Sequence, residues 1–408
     1  MKRLLLILIV TIFINKAFSQ SSNDVLNLLI ANKTITQEQA DSIRAEAAIK
    51  QQKDDLEKTS FAVEASKKIK LSGFTQIRYQ NFGDQSKNDA LDLRRARLTA
   101  KGPISPTWNY TIQVELATAT KLLDAYAEYK HSDKLKVQIG NIKTPISLEN
   151  NSSTDKLESI DLSQVVEALC SRSKDVIGNH NGLDLGVKVT GDLFKRKDYT
   201  LINYAIGVFN GTGINVSDNN KSKDLGGRLV LQPIKNLKIG GSLYSGYAKI
   251  ITTKTSITTT LSGSGASQKA TSKSVTTTTF VNQARNRVGL ELSYEIKKLS
   301  LRAEYLKGQD GRDATWRPIN KEGYYAQVGY YVIAKKLQII AKYDNYDKCI
   351  AVPGEITTNY GLIANYNFNP STRIQAGYSF GDVSNRPFKG IAINSPYNFG
   401  VVQFQIGF

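Results

Sequence analysis

The chain has 408 residues, of which 40% are hydrophobic and 9% aromatic, and it carries a formal net charge of +18 at pH 7. Its mean hydropathy of -0.31, without any later run of about 20 apolar residues, argues against a protein that spans a membrane with helices. The positive surplus indicates an anionic partner, which could be a nucleic acid, a lipid headgroup or a permeating anion. Cys170 and Cys349 lie far apart and make no disulfide framework, so one bridge or two isolated thiols remain open.

Residues 1–19 have the three features of a secretory signal peptide. Lys2 and Arg3 form a charged start, residues 4–14 are an apolar run, and small residues occupy the cleavage-site positions before Gln20. This run is shorter than the roughly 20 residues that cross a bilayer. Removal of the peptide would lower the net charge from +18 to +15, because it contains three Lys or Arg residues. Export also argues against nucleic acid as the partner.

Residues 20–66 are rich in Ala, Gln, Glu, Lys and Asp, and their apolar residues have helical spacing. Residues 32–34 interrupt this spacing, and Thr36 with Gln39 makes a capping-box pattern that opens a second helix. The segment therefore predicts two helices. They form either a periplasmic extension that pairs with copies of itself or a solvated, partly disordered leader.

From residue 67 onward the hydrophobic period changes from 3.6 to 2, which predicts an all-β domain over 67–408. Most candidate strands have about 9–14 residues, the length that a tilted membrane strand needs and longer than most soluble strands. The sixteen candidates are 69–82, 91–101, 108–118, 122–130, 134–141, 180–190, 199–209, 223–232, 236–249, 283–296, 299–308, 323–333, 336–346, 357–368, 372–381 and 397–408.

The connections between these candidates alternate in length. Those after even-numbered strands are short and rich in turn formers, whereas most of those after odd-numbered strands are long. The long ones are 142–179, 210–222, 250–282, 309–322, 347–356 and 382–396. Short periplasmic turns, long outer loops and an even strand number are typical of a transmembrane antiparallel β-barrel in the bacterial outer membrane. The Ser/Thr-rich loop 250–282 is interpreted as a flexible loop or an extended β-hairpin.

The last candidate strand presents Val402, Phe404, Ile406 and Phe408 on one face, which we expect to meet outer-membrane lipid. Aromatic C-termini of this kind resemble the signal that the barrel-assembly machinery reads in outer-membrane proteins. That machinery is therefore an expected partner during biogenesis.

The same alternation assigns charged residues to the inner wall. The inner cations are Arg78, Arg95, Arg97, Lys136, Lys188, Arg228, Arg285, Arg287, Arg302, Lys342 and Arg373. The inner acids are Glu115, Asp124, Glu128, Asp184, Glu291, Glu304 and Asp344. Rings of Arg or Lys favour anions, and guanidinium groups bind phosphate oxygens in pairs. Alternatively, these charges only brace a water-filled barrel through cross-strand ion pairs.

Seven short motifs occur in order along residues 70–408. They are Leu93-Arg94-Arg95-Ala96-Arg97-Leu98, Asp124-Ala125-Tyr126, Gly140-Asn141-Ile142-Lys143-Thr144-Pro145, Phe209-Asn210-Gly211, Lys223-Asp224 leading to Gly227-Arg228-Leu229, Gly323-Tyr324-Tyr325-Ala326-Gln327-Val328-Gly329-Tyr330, and Asn365-Tyr366-Asn367 with Pro370 and Arg373. Together they resemble the phosphate-selective porins O and P. The resemblance implies a sixteen-stranded porin, usually a homotrimer, whose third outer loop folds inward to narrow the pore.

That third loop would be 142–179, with a short helix around residues 160–169. By resemblance, Arg94 and Arg95 would belong to the basic lining near the constriction. Asp124 would orient that lining, and Lys143 would sit where the loop leaves the wall. The pore-lining or anion-binding candidates are Arg78, Arg94, Arg95, Arg97, Asp124, Lys136, Lys143, Arg228, Arg285, Arg287, Arg302 and Arg373. The loop itself is acidic on balance, whereas a loop that selects phosphate should be basic.

Catalysis finds no support in the sequence. His131 and His180 have no companion metal ligands, and Gly211-Thr212-Gly213 lacks the third glycine of a dinucleotide loop. We therefore expect neither a catalytic residue, nor a metal, nor a cofactor. The favoured function is a passive outer-membrane channel with a preference for small anions, phosphate being a candidate. The alternative is a structural or poorly conducting barrel with a plug-like third loop and a lumen crowded with paired charges.

Overall fold

The computed structural model describes residues 21–84, 87–117, 119–170, 182–262, 269–312, 318–352, 354, 356–388 and 391–408. They belong to two compact units, a helical unit that ends at Lys68 and a barrel unit from Ile69 to Phe408. The predicted signal peptide, residues 1–19, lies outside the described residues. No helix within the described part of the chain is long and apolar enough to cross a membrane.

The helical unit contains two helices, as the sequence predicts. Helix α1 is Ser21–Ala31 and helix α2 is Gln37–Lys67. The capping box is present at the start of α2: the Thr36 N–H donates to Gln39 Oε1 at 2.9 Å, and the Gln39 N–H donates to Thr36 Oγ1 at 3.2 Å. These reciprocal bonds satisfy two amide groups that a helix start otherwise leaves without a partner.

The described part of the barrel unit holds sixteen antiparallel strands that close on themselves, with β1 paired to β16. The predicted number and order of strands are therefore confirmed. The strands are β1 Lys70–Phe82, β2 Ala90–Pro103, β3 Trp108–Glu115, β4 Lys121–Ser132, β5 Leu135–Lys143, β6 Leu183–Lys195, β7 Thr200–Phe209, β8 Asp224–Ile234, β9 Leu237–Ser262, β10 Lys269–Ile296, β11 Leu299–Arg312, β12 Pro318–Ile333, β13 Leu337–Asp347, β14 Ile356–Asn367, β15 Arg373–Phe388 and β16 Ile391–Gly407.

Three predicted loops are in fact mostly strand. Strands β11 and β12 cover 309–312 and 318–322, so the prediction of a long loop over 309–322 was wrong, with residues 313–317 outside the described set. Strands β9 and β10 pair without a register shift from Leu237 opposite Tyr294 to Ser262 opposite Lys269. The interpretation of 250–282 as an extended β-hairpin is therefore confirmed, with residues 263–268 outside the described set. Strands β15 and β16 likewise cover most of 382–396, so the prediction of a long loop there was wrong. Continued backbone pairing between long neighbouring strands extends the sheet in all three places.

A bulge between β1 and β2 changes which arginines face inward. Gln76 pairs with Arg95 and Ile77 pairs with Leu93, which leaves Arg94 as an extra residue. Because a bulge interrupts alternation, two adjacent side chains can point to the same side of the sheet. Arg94 and Arg95 therefore both reach partners inside the barrel, whereas strict alternation would turn Arg94 outward.

The outer face of the barrel is apolar, as the alternation predicts. On β14, Leu362 is 58% exposed, whereas its chain neighbour Ile363 is 7% exposed. An aromatic row crosses β12 to β15 on this face. Its ring centroids lie 5.7, 5.2 and 5.4 Å apart, from Tyr324 through Tyr343 and Tyr360 to Phe380. Such rings, with wet hydroxyls on an apolar body, suit the interfacial girdle of a membrane barrel.

Alternation along candidate strand 180–190 predicts that Leu183 faces outward, but the structure buries it. It is 2% exposed and packs with Leu123 and Ile214. Ile214 belongs to the connection between β7 and β8, which covers this position.

The last strand agrees with expectation. Ile406 is 53% exposed, and Phe408 exchanges backbone hydrogen bonds of 3.0 and 3.1 Å with Gly73, which closes the barrel.

Candidate pore constriction

The connection between β5 and β6, here called L3, enters the barrel and packs against its inner wall. It is described for residues 144–170 and Gly182, and it contains helices α3 Leu148–Asn151 and α4 Gln164–Leu169. The predicted helix at 160–169 is shorter than expected. Its start is displaced because the N–H and the hydroxyl of Ser163 both donate to Glu149 Oε2, at 2.7 and 2.5 Å, so the chain turns helical only after this residue.

Apolar contacts hold L3 inside. The first apolar cluster joins Val165 and Leu169 of α4 to Phe209, Leu306 and Tyr325 of the inner wall. A second cluster, which does the same for the preceding segment, consists of Ile160, Ile340, Ile363 and Val401, with Phe399 packed against it. Complete burial of each such side chain contributes about 1.5–3 kcal/mol. These inward apolar positions on β11 to β16 are a signal for loop docking that the sequence analysis missed.

The acidic side chains of L3 face cations of the wall. Glu149 Oε1 lies 3.1 Å from Lys342 Nζ, and Glu158 Oε2 lies 3.5 Å from Arg302 Nε. Asp161 forms an ion pair with Arg94. The predicted acidity of L3 is therefore used for attachment, which explains why a loop inside a basic lumen carries so many carboxylates.

The first group of predicted site residues, the arginine cluster, consists of Arg78, Arg94 and Arg95. Arg78 makes two hydrogen bonds to Asp92, at 3.0 and 2.6 Å, and lies 3.6 Å from Asp161. Arg94 donates to the Ile160 carbonyl oxygen at 2.7 Å, and Arg95 donates to Gln76 Oε1 at 2.8 Å.

Asp161 is the L3 carboxyl at the centre of the arginine cluster. Enclosure raises its pKa, but the guanidinium groups of Arg94 and Arg78 lower it more, so the pKa lies below its ordinary value of 3.8. The carboxylate therefore stays charged throughout the neutral range and keeps its hold on these arginines.

A second group, the basic cluster, consists of Arg97, Lys143 and Lys188 with the carboxylates Glu115 and Asp124. Arg97 pairs with Glu115 at 2.8 Å, and all three cations lie within electrostatic reach of Asp124. The cluster thus has three cations and two carboxylates, and Glu128 and Arg228 both lie within electrostatic reach of Lys188, so a surplus of one positive charge remains. Asp124, which alternation places on the inner wall, and Lys143, which only the resemblance places at this lining, lie together here.

The basic cluster also touches L3. Arg97 Nη1 donates to Thr154 Oγ1 at 2.9 Å, and Lys143 Nζ donates to the Ser152 carbonyl oxygen at 2.8 Å. Lys188 Nζ donates to the Lys143 carbonyl oxygen at 3.0 Å. L3 therefore crosses the lumen directly beside the surplus positive charge.

The other predicted cations lie outside both clusters. Arg285 and Arg287 are each 2% exposed, so the structure places them away from the aqueous lumen. Arg287 donates to the Leu169 carbonyl oxygen at 2.9 Å and pairs with Asp310 at 2.5 Å, which makes it an attachment point for α4. The remaining cations have polar or charged partners that include Glu291 for Arg228, Asp192 for Lys136, Tyr244 for Arg285, Glu158 and Glu295 for Arg302, and Gln405 for Arg373.

Exposure indicates which side of L3 borders water. Toward β11 to β16, the two apolar clusters fill the space between L3 and the wall. Toward β2 to β5, inward residues such as Gln113, Asp124 and Gln138 are half-buried, and Ser153 and Lys156 of L3 are at least partly exposed. The half-buried members of the basic cluster, Arg97, Asp124 and Lys143, therefore border the passage left beside L3, whereas Lys188 and Glu115 are buried behind them. No group of three or more His, Cys, Asp or Glu in the described residues could hold a metal ion.

A closed sixteen-stranded barrel with an apolar outer face and an inward-folded loop defines a porin of the bacterial outer membrane. Residues 69–386 match the model of the family described as phosphate-selective porin O and P, and the chain belongs to this family. Membership of a porin family points to a channel rather than to an enzyme. No curated protein matches the chain significantly.

Solved porin structures share the fold at low sequence identity. The outer-membrane-expressed OmpT of Vibrio cholerae is 15% identical with a TM-score of 0.57, and the match covers 83% of this chain and 97% of that one. An anion-selective porin from Comamonas acidovorans is 13% identical with a TM-score of 0.56, covering 83% and 99%. OprB of Pseudomonas putida is 10% identical with a TM-score of 0.57, covering 84% and 95%.

Proposed function

We propose that this porin is a passive diffusion channel that prefers small anions, with phosphate as the candidate solute. The observation that carries the proposal is the basic cluster, which places three cations against two carboxylates beside L3. A close ring of basic side chains lowers the energy of a passing anion and raises that of a cation. The phosphate-selective family and the anion-selective porin from Comamonas acidovorans agree with this preference.

In this channel the two clusters act in sequence. The arginine cluster and Asp161 hold one end of the L3 crossing, and we propose that Arg78 and Arg95 add positive potential there. Lys143 and Arg97 then offer donors to the anion at the narrowest part, while Asp124 keeps Lys143 and Lys188 oriented. Guanidinium and ammonium groups both bind phosphate oxygens, the guanidinium in a bidentate manner.

Planar-bilayer recordings of the purified porin in a KCl gradient test the proposal. We expect a zero-current potential of the sign that anion preference gives, and reduced chloride current when phosphate is added. One unit charge about 4 Å away in water is worth about 1 kcal/mol, favourable to the anion and unfavourable to the cation, so Lys143→Gln should lower the anion-to-cation permeability ratio by up to about thirtyfold. Lys134→Gln, in the exposed turn after β4, is the matched control and should leave the ratio unchanged. Cation preference in the unmodified porin would refute the proposal.

A structural barrel that conducts little is the second candidate. Two observations favour this function: L3 is attached to the inner wall at several points, and several cations of the wall have acidic or carbonyl partners. The same bilayer recordings decide between the two functions, because a structural barrel would insert without measurable current.

We further propose that the porin is a homotrimer, that residues 1–19 are removed on export, and that residues 20–66 form a periplasmic extension. One similar solved structure is the trimer form of OmpT from Vibrio cholerae. Lipid on the outer face and recognition of the aromatic C-terminus by the barrel-assembly machinery complete the proposed partners. Crosslinking in detergent, with and without residues 20–66, should trap three subunits. A monomer that appears only without these residues would assign assembly to the helices.

A further inference from the structure

Four amide side chains form a continuous row along the inner wall. Gln338 on β13 lies opposite Asn365 on β14, Asn365 opposite Gln375 on β15, and Gln375 opposite Gln403 on β16. All four are between 0% and 2% exposed. This set is called the amide row below.

Hydrogen bonds run through the amide row in one direction. Gln403 Nε2 donates to Gln375 Oε1 at 2.9 Å, Gln375 Nε2 donates to Asn365 Oδ1 at 2.9 Å, and Asn365 Nδ2 reaches Gln338 Oε1 at 3.4 Å. Each amide thus uses its nitrogen toward one neighbour and its oxygen toward the other. Between its two ends, the row satisfies the hydrogen-bonding groups of its own amides, and it adds no charge to the wall.

Both ends of the amide row terminate on residues that hold L3. At one end, Arg94 Nη1 donates to Gln403 Oε1 at 2.9 Å while the same guanidinium binds Asp161. At the other end, Gln338 Nε2 donates to Glu158 Oε1 at 2.8 Å. A donor-only guanidinium and an acceptor-only carboxylate are the groups that such a one-way chain requires at its ends.

Glu158 is the point on L3 where most of these bonds converge. Its Oε2 accepts from Gln327 Nε2 at 2.7 Å, in addition to the bond from Gln338. Its carbonyl oxygen accepts from Asn365 Nδ2 at 2.9 Å and from Gln375 Nε2 at 3.1 Å. If the carboxylate were lost, the buried Gln327 Nε2 would lose its acceptor, an outcome that proteins avoid, and Gln338 Nε2 would keep only its 3.2 Å bond to Ser300 Oγ.

We propose that Glu158 is the positioning residue that fixes the L3 crossing on the amide row, and that this attachment sets the size limit of the pore. The inference rests on the proposed function only in requiring that the porin conducts. L3 crosses the lumen between Thr154, bonded to Arg97, and Asp161, bonded to Arg94. Glu158 lies between these two points and ties the crossing to the wall opposite the basic cluster, so the width of the passage depends on it.

The test is liposome swelling with neutral sugars of increasing size, together with single-channel conductance. Glu158→Gln should admit a sugar that the unmodified porin excludes and should raise the conductance. The new Nε2 would face the Nε2 donor of either Gln327 or Gln338, and two donors form no hydrogen bond. Asp155→Asn is the matched control, since it makes the same change of charge on L3 at a carboxylate that accepts a hydrogen bond from Ser153 of the same loop. Asp155→Asn should keep the size limit.

A charge-preserving exchange supplies the decisive comparison. In Glu158→Gln combined with Gln338→Glu, the new amide can donate to the new carboxylate and still accept from Gln327, while the 3.5 Å ion pair with Arg302 stays lost, so the size limit should return most of the way. An unchanged limit in Glu158→Gln, an equal shift in Asp155→Asn, or no recovery in the double variant would overturn the proposal. Should Glu158→Gln not assemble, Gln403→Met breaks the row at its other end and should widen the pore likewise. Neutral sugars report size alone, so failure here is distinct from failure of the anion preference.

Discussion

Truncation of Leu169 to Ala should loosen L3 and leave the barrel intact. Leu169 is completely buried in the first apolar cluster, where α4 meets the wall. Removal of a buried leucine side chain costs about 2–5 kcal/mol, which includes the cavity that remains. A loss of about 3 kcal/mol from docking of α4 corresponds to a factor of about one hundred in the equilibrium between docked and undocked loop. The sixteen strands do not depend on this side chain for their backbone pairing.

Hydrogen exchange followed by mass spectrometry, on protein in detergent, measures this effect. Peptides that cover residues 164–169 should exchange about one hundred times faster in Leu169→Ala, because local opening controls exchange there. Strand peptides should keep their protection. The control is Leu290→Ala, which removes a side chain that is 61% exposed on the outer face. If α4 exchange is unchanged, or if strands and loop lose protection together, the apolar cluster does not hold L3 as described.

Three further outcomes are expected. Arg287→Gln should destabilise the barrel by about 1.5–3 kcal/mol in denaturant unfolding, since it removes the 2.5 Å partner of the buried Asp310 and leaves Lys321 at 2.8 Å as the remaining cation, and it should not alter the zero-current potential. The lowered pKa of Asp161 means that its stabilising contribution is present above pH 3.8 and is lost only as pH falls through the lower pKa of the folded protein. The difference in conductance between the unmodified porin and Asp161→Asn should therefore be constant from neutral pH to about 4 and disappear below it. Gly323→Ala should reduce stability by about 1–3 kcal/mol in the same unfolding assay, because a Cβ there would lie 2.4 Å from the Asn345 carbonyl oxygen.

The sequence predicts the barrel well because its signals are repeated along the chain. Alternation of apolar and polar residues recurs in each strand, and the loop lengths sort by position, so a local error changes little. The exceptions have local causes. Arg94 faces inward because of one bulge, and the 250–282 segment continues as strand because its polar residues still pair across the hairpin. Neither cause appears in a hydrophobic pattern.

The site was less predictable because it depends on where L3 docks. Alternation places Arg285 and Arg287 on the inner wall, but it does not show that L3 or neighbouring side chains will cover them. The inward apolar residues Leu306, Ile340 and Ile363 break the polar pattern of the wall, and they were the available sign of a docked loop. The amide row was equally visible as one inward Gln or Asn in each of four successive strands.

Dissolved salt should separate two properties of this pore. The attraction of the basic cluster for an anion weakens as ionic strength rises, since the Debye length falls from about 10 Å at 0.1 M to about 3 Å at 1 M. The amide row consists of buried, uncharged groups, so counterions do not screen its bonds. A recording in concentrated salt would therefore see a channel of the same width with little ionic preference, and the protein would behave there as a plain molecular sieve.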